Sequence, residues 1–133
     1  MAEEAPALGI TIVMLGVREL ARSLEFYRDR LSLPVSWASD ELAFVKAGAV
    51  MLGLRQAPDQ AGAREDGRME LVFTVDDVDQ AYAWLRERGV VFRIAPRIVT
   101  AGKLAADFRD PDGHVLSIFG PRRADVRAGG ETG

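Results

Sequence analysis

With no cysteine and one histidine among 133 residues, chemistry in this chain falls mainly to carboxylates. The missing thiols exclude cysteine nucleophiles, disulfide frameworks, zinc–thiolate sites and iron–sulfur clusters. A metal site needing two histidines of one chain is excluded too, because His114 stands alone. Glu70 opens the run Glu70-Leu71-Val72-Phe73-Thr74-Val75. A carboxylate in that position can act as acid or base when burial raises its pKa, or can pair with a cationic ligand. The competing reading is a solvated or arginine-paired strand residue. His114 ends Asp110-Pro111-Asp112-Gly113-His114, where it fills a polar turn position; a catalytic or pH-sensing role is the other reading. Trp37, Phe44, Met51, Phe108 and Phe119 offer apolar walls for a ligand, and their aromatic rings suit stacking on flat heteroaromatic molecules; core packing is the alternative for each. Thr74, Arg55, Arg93 and Arg97 are less specific polar contacts.

These side chains need elements to position them, and the chain carries the same order of elements twice. Ile12–Val17 is an apolar run of β-formers and predicts a buried strand. Leu20, Leu24, Tyr27 and Leu31 then fall on one helical face, until Pro34 ends the segment. Strands are predicted at Val35–Ala38, Leu42–Lys46 and Ala49–Leu54, with Gly48 turning between the last two. The polar stretch 56–68 reads as a linker. The pattern restarts with a strand from Glu70, a cap at Asp76 or Asp77, a helix through Val78, Tyr82 and Leu85, and Gly89 at its C-terminal stop. Strands at Val90–Ile94, Lys103–Phe108 and His114–Phe119 follow, and 96–100 is ambiguous. The halves align at an offset of 58 residues, which sets Leu20 on Val78, Leu24 on Tyr82 and Tyr27 on Leu85.

Composition bounds the remainder. The chain is 48% hydrophobic and 28% charged, with a net charge of −3, which predicts one globular domain with no basic nucleic-acid surface. The longest apolar run is too short to cross a membrane, and the acidic start has no signal-peptide character. A cytoplasmic location is the expectation.

Val17-Arg18-Glu19-Leu20-Ala21-Arg22-Ser23-Leu24-Glu25-Phe26-Tyr27, running on to Leu31-Ser32-Leu33, resembles the opening pattern V-x-D-L-x-x-S-x-x-F-Y-x-x-x-L-G-L of the vicinal oxygen chelate superfamily. Glu19 stands for its Asp and Ser32 for its Gly. Asp110–His114 resembles that family's closing turn, D-P-D-G-[HN]. The resemblance implies an α+β fold of two tandem βαβββ modules, with curved mixed sheets forming an open cavity. Module one would span 8–55 and module two 69–120 of a single domain 1–121, with a disordered tail at 122–133. The family's metal-ligand positions map onto Ile12, Gly53, Glu70 and Ser117, of which Glu70 alone is a strong donor, so neither metal nor other cofactor is expected. A site built from Glu70, Asp107 and His114 is the remaining metal alternative.

The resulting expectation is a metal-independent protein that binds a small aromatic or glycopeptide-like molecule, such as an antibiotic, through Trp37, Met51, Glu70, Thr74, Phe108, Ser117 and Phe119. The alternative is a metal-independent lyase, isomerase or cyclase with Glu70 as acid or base. Members of this family with two modules commonly pair, so a homodimer is expected. Trp84, off the apolar face of its helix, is expected at partial exposure or an interface.

Overall fold

The computed structural model describes residues 10–60 and 69–122. β1 (Ile12–Val17) leads into α1 (Leu20–Leu24), which widens into a π-helical turn over Glu25–Arg30. Then come β2 (Val35–Ala38), β3 (Leu42–Ala47) and β4 (Val50–Gln56). The second unit repeats the order with β5 (Glu70–Thr74), α2 (Val78–Glu87), β6 (Phe92–Thr100), β7 (Lys103–Arg109) and β8 (Val115–Gly120). Two tandem βαβββ modules with mixed sheets are therefore present. The ambiguous segment 96–100 extends β6. Residues 61–68 of the linker and 123–133 of the tail lie outside the described residues.

The expectation of curved sheets around an open cavity is corrected. Each module forms its own open four-stranded sheet, in the orders β1-β4-β3-β2 and β5-β8-β7-β6, and among the described residues no strand joins one sheet to the other. β1 pairs parallel with β4 and β5 parallel with β8; the other pairs are antiparallel. The physical reason is alternation. Leu15, Val17, Leu52 and Leu54 from one sheet, and Leu116, Ile118, Ala106 and Phe108 from the other, enter one continuous core with the helices. The two inward faces meet in that core, so the opposite faces are left outward instead of wrapping a shared space.

Helix ends show how the modules lock together. Asp77 caps α2 locally, its side chain accepting from the Gln80 amide. α1 has no such local cap at Glu19. Instead the Leu20 amide donates to Gln56 Oε1 at 3.0 Å, and the Arg18 amide donates to Asp112 Oδ1 at 3.1 Å. Ser23 Oγ and Arg22 Nη2 also reach Asp112, each at 3.3 Å. Tyr27, fully buried, donates its hydroxyl to Asp110 Oδ2 at 2.7 Å. The closing turn of module two is thus bolted onto the helix of module one. The π-helical turn, whose bond from the Leu31 amide to the Phe26 carbonyl spans five residues, brings the adjacent Phe26 and Tyr27 both into the core.

Candidate functional site

Strand register arranges the outward side chains in rows. On the first sheet, Ile12, Met51 and Lys46 form one row and Met14, Gly53, Phe44 and Trp37 the next. On the second, the rows are Glu70, Val115 and Arg109; Val72, Ser117, Asp107 and Ile94; and Thr74, Phe119, Ala105 and Arg97. The first face is largely apolar. Trp37, 53% exposed, lies against Phe44 with ring centres 6.2 Å apart. The second face carries the ionisable groups. Arg97 Nη1 stands 3.7 Å from Asp107 Oδ1 and donates to the Ala105 carbonyl at 3.3 Å. Glu70 is exposed at the corner of this face, and Ser117 is buried at its centre.

Of the residues singled out in the sequence, Glu70, Thr74, Ser117 and Phe119 share the second outer face, while Trp37 and Met51 share the first. Arg55 also belongs to the first face, so Glu70 and Arg55 lie on different sheets. Phe108 is not with them. It points inward, fully buried, with Phe92 at 5.1 Å and Phe26 at 6.4 Å between ring centres. Its pairing with inward Leu116 is the reason, and the alternation Leu104, Ala106, Phe108 against Ala105, Asp107, Arg109 was the available signal. The same alternation identifies Asp107 and Arg109 as outer-face groups and Met14 as a neighbour of Gly53.

The family's metal positions can be tested on the chemistry present. Ile12 and Gly53 carry no donor, and Ser117 offers only a neutral hydroxyl. A Cβ at Gly53 would meet Met14 Sδ and lie 3.0 Å from Phe44 Cε1, so any side chain there would first have to displace the flexible end of Met14. Among the described residues, no three His, Cys, Asp or Glu side chains converge to hold a metal. The donor set does not fit a metal centre.

His114 also sits apart from the outer faces. Its Nδ1 lies 2.7 Å from Asp110 Oδ2, and its amide donates to Asp110 Oδ1 at 2.8 Å. Burial alone would push the Asp110 carboxyl upward. The hydrogen bonds from His114 and Tyr27, with the His114 charge, outweigh burial and hold it below the usual carboxylate range. Burial first, then the charge of Asp110, push the Tyr27 hydroxyl far above its ordinary range, so it stays a donor. The arrangement is a structural clasp between modules.

The family described as the Glyoxalase/Bleomycin resistance protein/Dioxygenase superfamily matches residues 9–118. The chain is 32% identical over 121 positions to the uncharacterized protein YraH of Bacillus subtilis, covering 80% of this chain and 94% of that one. It is 28% identical over 113 positions to the metallothiol transferase FosB of Staphylococcus haemolyticus, covering 83% of this chain and 81% of that one. Among solved structures, the antibiotic binding protein TnmS3 from Streptomyces sp. CB03234 superposes with a TM-score of 0.72 at 24% identity, over 89% of this chain and 99% of that one. A lactoylglutathione lyase from Agrobacterium tumefaciens superposes at 0.70 with 21% identity, over 87% and 96%. These two structural likenesses establish the fold alone.

Proposed function

Because this chain belongs to the glyoxalase/bleomycin resistance protein/dioxygenase superfamily, we propose that it is a metal-independent enzyme acting on a small organic molecule held where the outer sheet faces of two copies meet, with Glu70 as the acid or base. The observation that carries this reading is the division of labour between the faces. Trp37, Phe44 and Met14 present an apolar wall, whereas Glu70, Ser117, Asp107 and Arg97 supply proton-handling and orienting groups. A positioned carboxylate and an oriented substrate can carry a lyase, isomerase or cyclase step by acid–base chemistry alone. The sequence relatives named as metallothiol transferases support an enzyme over a passive binder. Their chemistry is not transferred, because the donor set here is different.

A second reading is favoured by the exposure of Trp37, beside the half-buried Phe44, and of Glu70 itself. In that reading the chain sequesters an aromatic or glycopeptide-like antibiotic without changing it, as the name of the Streptomyces neighbour suggests for that protein. One experiment separates the two. Chelator-treated protein is incubated with flat aromatic antibiotics and metabolites, and the products are read by mass spectrometry. Turnover that disappears in Glu70→Gln, with Trp37 fluorescence still reporting binding, supports the enzyme. Turnover surviving in Glu70→Gln removes Glu70 from the mechanism. Stoichiometric protection with unchanged compound recovered selects the binding protein.

A second copy of the chain completes the site in this proposal. Ile12, Trp37 and Val72 are 47–53% exposed on the outer faces, and pairing would cover apolar surface of this kind. Sedimentation at micromolar concentration should return a dimer. A cytoplasmic location is part of the same proposal. Among the described residues, no helix is long and apolar enough to cross a membrane.

A further inference from the structure

The two modules share an order of elements but do not fill their interiors alike. At the offset of 58 residues, Ser23, Phe26 and Tyr27 of module one correspond to Ala81, Trp84 and Leu85 of module two. Around α1, the Tyr27 ring fills the interior, and the five-residue turn 110–114 closes over Ser23 and Tyr27 with hydrogen bonds. Around α2, Leu85 is smaller than Tyr27. The turn corresponding to 110–114 is reduced to Gly48 and Ala49 between β3 and β4, and a Cβ built on Gly48 meets nothing within 4 Å. The result is a gap of about 180 Å³ between α2 and the Leu31–Leu33 segment.

We propose that this gap is a second ligand pocket, separate from the outer faces, that takes a small uncharged aromatic molecule of the size of toluene. Its lining is almost entirely apolar, with Leu31, Leu33, Phe73, Ala81, Trp84 and Phe108 among its walls. The gap opens to solvent on one side, whereas an enclosed cavity of about 150 Å³ lined by Leu, Ile and Phe takes up benzene; the volume and lining chemistry here suit a ligand of that class, bound with one edge towards solvent. Two features keep the walls in place. The Arg88 guanidinium stacks 3.5 Å from the centre of the Trp84 ring. Ser32, at φ 58°, turns the backbone between Leu31 and Leu33, both of which line the pocket. The second sheet separates this pocket from the proposed site. Phe73 and Ile118 face the pocket, while their neighbours Val72, Thr74, Ser117 and Phe119 face the other way.

The two tryptophans make the test direct, because Trp37 is on the outer face of the first sheet and Trp84 is in the pocket wall. In Trp37→Phe protein, the single remaining indole N–H signal in a heteronuclear NMR spectrum belongs to Trp84. Titration with toluene is expected to shift that signal saturably and to raise the melting temperature. Adding Ala81→Leu, which fills the gap, should weaken toluene binding at least tenfold; Ala81→Val is the milder variant if the larger one fails to fold, and should weaken it in the same direction. Absence of a saturable shift in Trp37→Phe protein overturns the proposal. So does toluene binding that is undiminished in the folded Ala81 variants, which would place the molecule elsewhere.

Discussion

Replacing Tyr27 by Phe removes one oxygen from a fully buried ring and leaves the carbon frame intact. The T-shaped contact with Phe26, 5.1 Å between ring centres, is retained. What is lost is the 2.7 Å hydrogen bond to the Asp110 carboxylate, the link between helix α1 and the closing turn of module two. A hydrogen bond to a charged group contributes about 1.5–3 kcal/mol. Asp110 keeps three other donors here, namely His114 Nδ1 and the amides of Asp112 and His114. The lower part of that range, about 1.5–2 kcal/mol, is therefore expected. For a domain of this size that is a fall in Tm of roughly 6–8 °C. The pH dependence identifies the partner. Asp110 is held below its ordinary value in the folded state. Its stabilisation is thus present above the unfolded carboxylate pKa of about 3.9 and fades as pH falls through the lower, folded value. Calorimetric melts should show a constant gap between wild type and Tyr27→Phe from pH 5 to 8, narrowing below about pH 4. A variant as stable as wild type at pH 7, or a gap that stays constant into acid, would refute the clasp.

Ser32→Gly should raise stability by up to about 1 kcal/mol in urea melts, since a non-glycine residue at φ 58° carries a left-handed cost that exceeds the entropy cost of glycine. A loss of stability would mean that the Ser32 side chain, not its backbone, is what the turn needs. Gly120→Ala should destabilise by about 1–3 kcal/mol, because the new Cβ would collide with the Val75 carbonyl, a backbone atom that cannot swing aside; an unchanged urea midpoint counts against the close β5–β8 approach. Trp37→Ala should leave the melting temperature within about 2 °C of wild type, its ring being half exposed, and should weaken binding of any aromatic ligand at the outer face, measured by calorimetric titration. Asp112→Ala strips partners from the Arg18 amide, Arg22 and Ser23 together and should cost about 3 kcal/mol or more by chemical denaturation; a cost under 1 kcal/mol would show that water replaces it freely.

Strand and helix placement was legible because it rests on local periodicity. The runs at Ile12–Val17 and from Glu70 needed only alternation and β-branched content, and the α2 start needed only Asp77 next to a helical pattern. Gly89 was readable as a left-handed stop and has φ 87°. The end of β6 was not settled, because Pro96 within an edge strand breaks the usual signal without preventing pairing on the other side. Residue type alone points Phe108 towards a ligand on the outer face, whereas its place in the alternation of β7 sends it inward.

The composition and order of residues by themselves determined the duplicated βαβββ plan, the side of each strand on which a residue falls, and the poverty of metal donors at Ile12, Gly53 and Ser117. All of these follow from residue type and from repeats of two or about four positions. Tertiary structure alone decided that the sheets stay separate with their apolar faces turned into one core, and that Gln56 and Asp112 serve the start of α1. It likewise decided that a gap remains beside Ala81 where module one has the Tyr27 ring. The contact from Arg18 to Asp112 joins residues 94 positions apart. Such a pairing depends on how two finished modules meet in space, which no local pattern in either segment encodes.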